Sequence, residues 1–150
     1  MTLAVHQTDP ENVKSIIKNG LIGQEYIERE SPHYKKRGVF LFPMDAIEFL
    51  DPSLEYCKSK MYIIADVDQK SPLGDCNSEG NYRKYCNRMT TLEDYIKNNK
   101  RDQYEAPEIF VEHDIKPKDI LKAYDLDKLF ELYKKCDSKR ECIIEDTNKT

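Results

Sequence analysis

The residues best equipped for chemistry lie where strands begin or give out. In LAVHQTDPENVKSIIKNGLIG, residues 3–23, an apolar run ends on His6, Gln7 and Thr8, directly ahead of Asp9-Pro10. An imidazole and a hydroxyl each donate and accept hydrogen bonds, so at a strand end bordering a crevice they can hold a ligand. Both also have ordinary uses, His6 as a buried histidine satisfied by the following turn and Thr8 as a turn hydroxyl. A carboxylate stands in a comparable place far along the chain: Glu108 opens the apolar run EIFV just after a proline-bounded loop. Carboxylates so placed stabilise positive charge or accept protons. Glu105 and Glu112 compete for that role, and Glu108 is preferred because it opens the strand directly. Arg37, after Lys35-Lys36, is read either as part of a solvated basic patch or as an anion-binding group. Phe40 and Phe42 alternate along GVFLF, and one of them is read as a core residue. Gln103 and Tyr104, ahead of Glu108, are assigned to substrate contact, with simple packing as the tyrosine's alternative.

These side chains need a frame, and the local signals supply one. TLAV is a short buried strand. Asp9 suits an N-cap, Pro10 takes a first helical position where its missing N–H costs nothing, and Glu11 favours the helix's positive end. Val13, Ile16 and Ile17 make one apolar face, and Asn19-Gly20 forms a C-cap pair. QEYIERESPHYKKRG reads as a surface loop and GVFLF as the second strand. Pro43 and Asp45 start a helix through about Leu50, restarted at Asp51-Pro52 toward Cys57. MYIIADV is apolar on both faces, which predicts a central strand. Residues 69–88, rich in Gly, Ser and Asn, read as one long loop. Thr90 and Glu93 make a capping box for the helix TLEDYIKNNK. EIFVEHDI is the fourth strand and KPKDIL a helical turn. LDKLFELYKKC is an amphipathic helix with Leu126, Leu129, Phe130 and Tyr133 on one side. The final DSKRECIIEDTNKT reads as a charged, frayed tail. The expectation is one domain over residues 1–136 and a tail over 137–150, in an α+β pattern. No G-x-G-x-x-G and no P-loop occurs, so a nucleotide would not be held in those ways.

Taken together, three of these pieces resemble a known family. The H-x-T of His6 and Thr8, followed by a helix with Val13, Ile16 and Gly20-Leu21, resembles the start of the ADP-ribosyltransferase superfamily and of the related RNA 2'-phosphotransferases. GVFLF with the following Ala46 is similar to the second such segment. APEIFVEHDIKPKDIL resembles the strand that carries the family's catalytic glutamate. The pieces span most of residues 3–121, each short and degenerate.

The resemblance implies a split two-sheet α+β fold, NAD as cofactor and Glu108 as the catalytic residue. It places His6, Gln7, Thr8, Arg37, Phe40 and Phe42 against NAD, and Gln103 and Tyr104 against the acceptor. Nicotinamide is a poor leaving group whose departure leaves an oxocarbenium ion on the ribose, and a nearby carboxylate stabilises that charge and orients the acceptor. The histidine would hold the adenosine-side ribose, the threonine the nicotinamide half, an aromatic face the nicotinamide ring, and Arg37 the pyrophosphate. This sequence also departs from the family's branches. Ala106 stands two residues before Glu108, so the E-x-E or Q-x-E of the arginine-modifying branch is absent, as is its Ser-Thr-Ser. Gln7 replaces the glycine of the polymerase branch's H-G-[ST], and Phe40 or Phe42 replaces its tyrosine. A lone glutamate with an upstream H-x-T is closer to the DNA-modifying toxins of the DarT type, whose arginine near the site corresponds loosely to Arg37.

Bulk properties limit the partners. A formal net charge of -4 gives no global pull toward nucleic acid or anionic membrane, so such a partner would need a local patch. The single basic cluster at residues 35–37 disfavours a 2'-phosphotransferase, which needs a strong cationic site. A non-catalytic module binding a nucleotide or a protein stays as a further alternative. No run approaches the roughly 18 apolar residues of a membrane span, and MTLAVHQTDPEN lacks the regions of a signal peptide. Cys57, Cys76, Cys86, Cys136 and Cys142 form no C-x-x-C pair, which reads as free thiols in a reducing compartment without a structural zinc. The expectation is a cytoplasmic monomer, in its producer or in a host, without a metal, acting on a protein or nucleic acid.

Overall fold

The computed structural model describes residues 1–25, 37–75 and 87–149. Eight strands occur in it: β1 (Thr2–Thr8), β2 (Gln24–Glu25), β3 (Arg37–Pro43), β4 (Met61–Val67), β5 (Pro72–Asp75), β6 (Asn87–Thr91), β7 (Pro107–Val111) and β8 (Ile120–Tyr124). The helices are α1 (Val13–Asn19), α2 (Glu55–Lys58), α3 (Leu92–Lys97), α4 (Leu126–Cys136) and α5 (Arg140–Thr147). The strands form one hydrogen-bonded path, β6-β5-β7-β3-β1-β4-β8, with β2 alongside β3. Every pairing along it is antiparallel. The α+β pattern holds, and MYIIADV is central: β4 lies between β1 and β8. Its alternate residues enter two cores, Ile63, Ala65 and Val67 on one face, Tyr62 and Ile64 on the other.

The strand β3 holds the two halves of the path together. Its Val39, Phe40 and Leu41 pair with Val111, Phe110 and Ile109 of β7. Only Phe42 and Pro43 pair with β1, opposite Val5 and Ala4. Beyond Val5 the β1–β3 ladder stops, whereas β1 stays paired with β4 as far as Thr8. The two strands therefore fork at His6. The path itself stays continuous across this point.

Local chemistry explains the entry to α1. Pro10 opens a 3-10 turn (Pro10–Asn12) that runs into the helix. Asp9 sits at the cap position without a side-chain cap bond; its carboxylate pairs instead with Lys60 at 2.5 Å. Gly20 ends the helix with φ 83° and donates its N–H to the Ile16 carbonyl. A Cβ there would stand 2.1 Å from the Ile115 carbonyl oxygen. Leu21 and Ile115 exchange backbone hydrogen bonds of 2.9 Å each, so only glycine lets α1 dock this closely.

Several expectations are corrected. Ile17 is 47% exposed, and α1 buries Ile16 alone. The stretch read as one long loop contributes β5 and β6, and its residues 76–86 lie outside the described residues. Of KPKDIL, read as a helical turn, Pro117–Asp119 is a 3-10 turn, whereas Ile120 and Leu121 already belong to β8. The helix expected after Pro43 is present, as a 3-10 helix (Met44–Phe49). The α3 cap is Thr91, whose hydroxyl accepts from the Asp94 N–H at 3.1 Å, not Thr90 with Glu93.

The frayed tail is corrected most fully. α5 buries Ile143 among Leu129 and Leu132 of α4. Arg140 donates to both carboxylate oxygens of Asp66, and the Tyr124 hydroxyl donates to Asp146 at 2.8 Å. Cys136 and Cys142 form a disulfide that closes the α4–α5 turn, so the free-thiol reading fails for these two. Cys57 is a buried thiol, and Cys76 and Cys86 lie outside the described residues. Among the described residues no helix is long and apolar enough to cross a membrane.

Candidate active site

The fork between β1 and β3 is bridged by a side chain. His6 Nδ1 lies 2.7 Å from the Phe40 carbonyl oxygen. A carbonyl oxygen only accepts, so Nδ1 carries the proton, and in the neutral ring Nε2 is left as an acceptor. Burial pushes the imidazole pKa below its usual value, partly offset by the bond to Phe40. The site thus holds a neutral histidine at physiological pH, oriented by backbone.

His6 lines two clefts. The larger, about 560 Å³, is also bordered by Gln7, Phe40, Phe42, Phe49 and Glu108. The smaller, about 300 Å³, is bordered by His6 with Thr8, Asn12, Ser15, Gln24 and Gly38. Both volumes fall near the range of about 300–1,000 Å³ usual for small-molecule sites. Residues that lie far apart in sequence, His6 and Glu108, therefore meet in one cleft. Thr8 shares a cleft with His6 but not with Glu108.

Glu108 is half-buried in β7, opposite Gly74 of β5. Its rivals Glu105 and Glu112 are exposed and do not border the cleft. The segment leading to Glu108 is held by Asp75, which is only 4% exposed. Its carboxylate accepts from the N–H groups of Glu105 (3.2 Å) and Ala106 (3.0 Å), while the next residue, Pro107, has no N–H to satisfy. Charge-assisted bonds to consecutive amides pin a backbone that no ladder yet holds.

The remaining sequence assignments divide. Gln7 Nε2 donates to the Tyr62 hydroxyl at 3.1 Å, which in turn donates to the Cys57 carbonyl at 2.8 Å, so the amide is fixed by a buried relay. The Thr8 hydroxyl accepts from Asn12 Nδ2 at 3.3 Å. Phe40 packs on Phe110 with ring centroids 4.9 Å apart, and both Phe40 and Phe42 border the larger cleft. The Arg37 side chain, with Lys35 and Lys36, lies outside the described residues. Gln103 is exposed in a 3-10 turn (Lys100–Gln103) away from the cleft lining. Tyr104 is corrected to a core residue: its ring meets the edge of Tyr95 at 5.3 Å and its hydroxyl donates to the Arg88 carbonyl.

Sequence reasoning missed Phe49, Tyr56 and Asp75. The first two rings are exposed at the cleft's border, Phe49 at the end of the 3-10 helix Met44–Phe49 and Tyr56 in α2, and no apolar periodicity announces either. Asp75 stands in a stretch that reads as loop, and its partners are amides thirty residues away, a relation without a local signal. Among the described residues no three His, Cys, Asp or Glu side chains stand together as a metal site.

No protein-family model matches this chain, and no curated protein matches it. Among solved structures it is similar to Thermosipho africanus DarTG in complex with ADP-ribose, with 13% identity and a TM-score of 0.48. The match covers 87% of this chain and 47% of that one, so the chain spans about half the length of the structure it resembles. The similarity is distant and concerns the arrangement of strands and helices.

Proposed function

We propose that this chain is an NAD-dependent mono-ADP-ribosyltransferase that transfers ADP-ribose to a macromolecular acceptor, a protein or a nucleic acid. One observation carries the reading: a neutral, backbone-oriented histidine and a half-buried carboxylate, drawn from opposite ends of the chain, border one cleft at a fork between strands. The forked partnership of β3 supports the split two-sheet arrangement that goes with this reading.

NAD supplies a ribose whose bond to nicotinamide breaks with development of positive charge at the sugar. The donor set fits such a ligand. His6 Nε2 would accept from a ribose hydroxyl, an orientation set by the Nδ1 bond to Phe40. Gln7 and Thr8, already held by Tyr62 and Asn12, offer an amide and a hydroxyl on either side of His6. Phe42 and Phe49 offer apolar surface to a flat ring. Glu108 acts on the charge that develops: its carboxylate stabilises the sugar as the bond breaks and takes up the proton that the acceptor loses. A group placed this way works mainly on the transition state, so its loss lowers rate more than affinity.

The test incubates the purified chain with labelled NAD and a cell lysate, with and without nuclease. Label entering macromolecules supports the reading, and its sensitivity to nuclease separates nucleic acid from protein acceptors. A chain that neither consumes nor binds NAD under these conditions overturns it.

A further inference from the structure

Three interactions of different kinds join Arg101 to one helix, beside a longer ion pair of 3.3 Å with its neighbour Asp102. It stands in the turn Lys100–Gln103, just ahead of the segment that leads into Glu108. Its Nε donates to the Asp45 carbonyl oxygen at 3.1 Å. A terminal nitrogen pairs with the Glu48 carboxylate at 2.6 Å, and the guanidinium lies 4.8 Å from the centroid of the Phe49 ring. All three partners belong to the 3-10 helix Met44–Phe49, whose Ala46 and Phe49 border the cleft with His6 and Glu108. Glu48 is held from the other side by the Tyr133 hydroxyl of α4 at 2.9 Å.

We propose that Arg101 is a positioning residue of this cleft: it ties the wall formed by Met44–Phe49 to the segment that carries Glu108, and so sets the place of the Phe49 ring. The tie stands on these contacts alone; its consequence for NAD rests on the transferase reading above. Arginine suits the task because a planar fork can address two acceptors in different directions while its face covers a ring. An ammonium is a point charge that cannot do both. The ion pair with Glu48 is partly exposed and screened, so the three contacts must act together. Glu108 has its own support in Asp75, so loss of Arg101 falls chiefly on the Phe49 wall.

The test replaces Arg101 in the full chain, as Arg101→Gln and Arg101→Lys, and follows backbone hydrogen exchange by segment. In Arg101→Gln, exchange over residues 44–50 should rise about tenfold while β4 and α4 stay unchanged, the pattern of a local opening. Arg101→Lys should restore little of the protection, and Glu48→Gln should give a smaller rise of the same sign. The KM for NAD should rise about tenfold with kcat changed less than about threefold, since the wall binds and Glu108 is untouched. Exchange over 44–50 within about twofold of wild type in a folded Arg101→Gln chain overturns the proposal, as does an equal rise across β4, which would mark a merely global role. Should Arg101→Gln fail to fold, Arg101→Lys is judged by the same two criteria. A wild-type chain that never consumes NAD overturns the transferase reading, while the exchange data still decide for or against the tie.

Discussion

His6→Ala probes the fork from both sides, stability and binding. The imidazole makes one bond, of 2.7 Å, to the Phe40 carbonyl. A net hydrogen bond contributes about 0.5–1.5 kcal/mol, so the loss should be about 1 kcal/mol at pH 8. For a chain of this size that lowers Tm by about 2–4 °C. The pH dependence has a definite sign. Because burial lowers the folded pKa of His6, the unfolded chain takes up a proton first as pH falls. Wild type therefore carries no penalty above the ordinary histidine pKa of about 6.5 and a growing one below it, down to the folded pKa. His6→Ala lacks that penalty, so the stability gap between the two proteins should narrow as pH falls from 8 to 5.5. In binding, loss of the Nε2 acceptor should weaken NAD by about 1–3 kcal/mol at pH 8, the cost of leaving a buried partner unmet. Thermal melts across pH and titration calorimetry with NAD measure both. A stability gap independent of pH would refute the desolvated imidazole. Unchanged NAD affinity together with a lower Tm would make His6 structural and remove it from the site.

Three other perturbations test neighbouring parts of the argument. Glu108→Gln should fold and bind NAD, yet lose about two orders of magnitude in NAD hydrolysis and transfer, while Glu105→Gln and Glu112→Gln stay mild; equal activity of all three would dismiss the carboxylate's role. Asp75→Asn turns one acceptor oxygen into a donor facing the amides of Glu105 and Ala106, so it should cost about 1–3 kcal/mol and lower kcat by misplacing Glu108. Wild-type kcat in a folded Asp75→Asn chain would count against that brace. Ile143→Ala opens a cavity between α4 and α5 and should cost about 2–5 kcal/mol, and removal of residues 137–150 should cost more. An unchanged melt in either chain would mean that α5 does not dock as described.

Much of the frame was written in local order. Pro10 and Gly20 bound α1 because one tolerates a first-turn position and the other a positive φ, properties of single residues that no distant contact can alter. The largely apolar run of β4 required cover on both faces, and the structure supplies two cores. His6 and Glu108 were legible for a similar reason: polar groups that abruptly end or begin an apolar strand have few uses inside a core. That they border one cleft was another matter. It depends on where the β1–β3 ladder stops and on the pairing of β3 with β7, which join residues far apart in the chain.

What the tertiary structure alone decided shares one physical feature, partners far apart in the chain. Asp75 looked like a loop aspartate until the amides of Glu105 and Ala106 came to it. Tyr104 looked available until Tyr95 covered its ring. The final segment looked charged and loose because its apolar content is small, but a single isoleucine is enough when α4 presents a matching surface and Asp66 and Tyr124 receive the charges around it. A pattern of period two or 3.6 records which face of an element is apolar. It does not record what that face will meet, and the candidate site is made of such meetings.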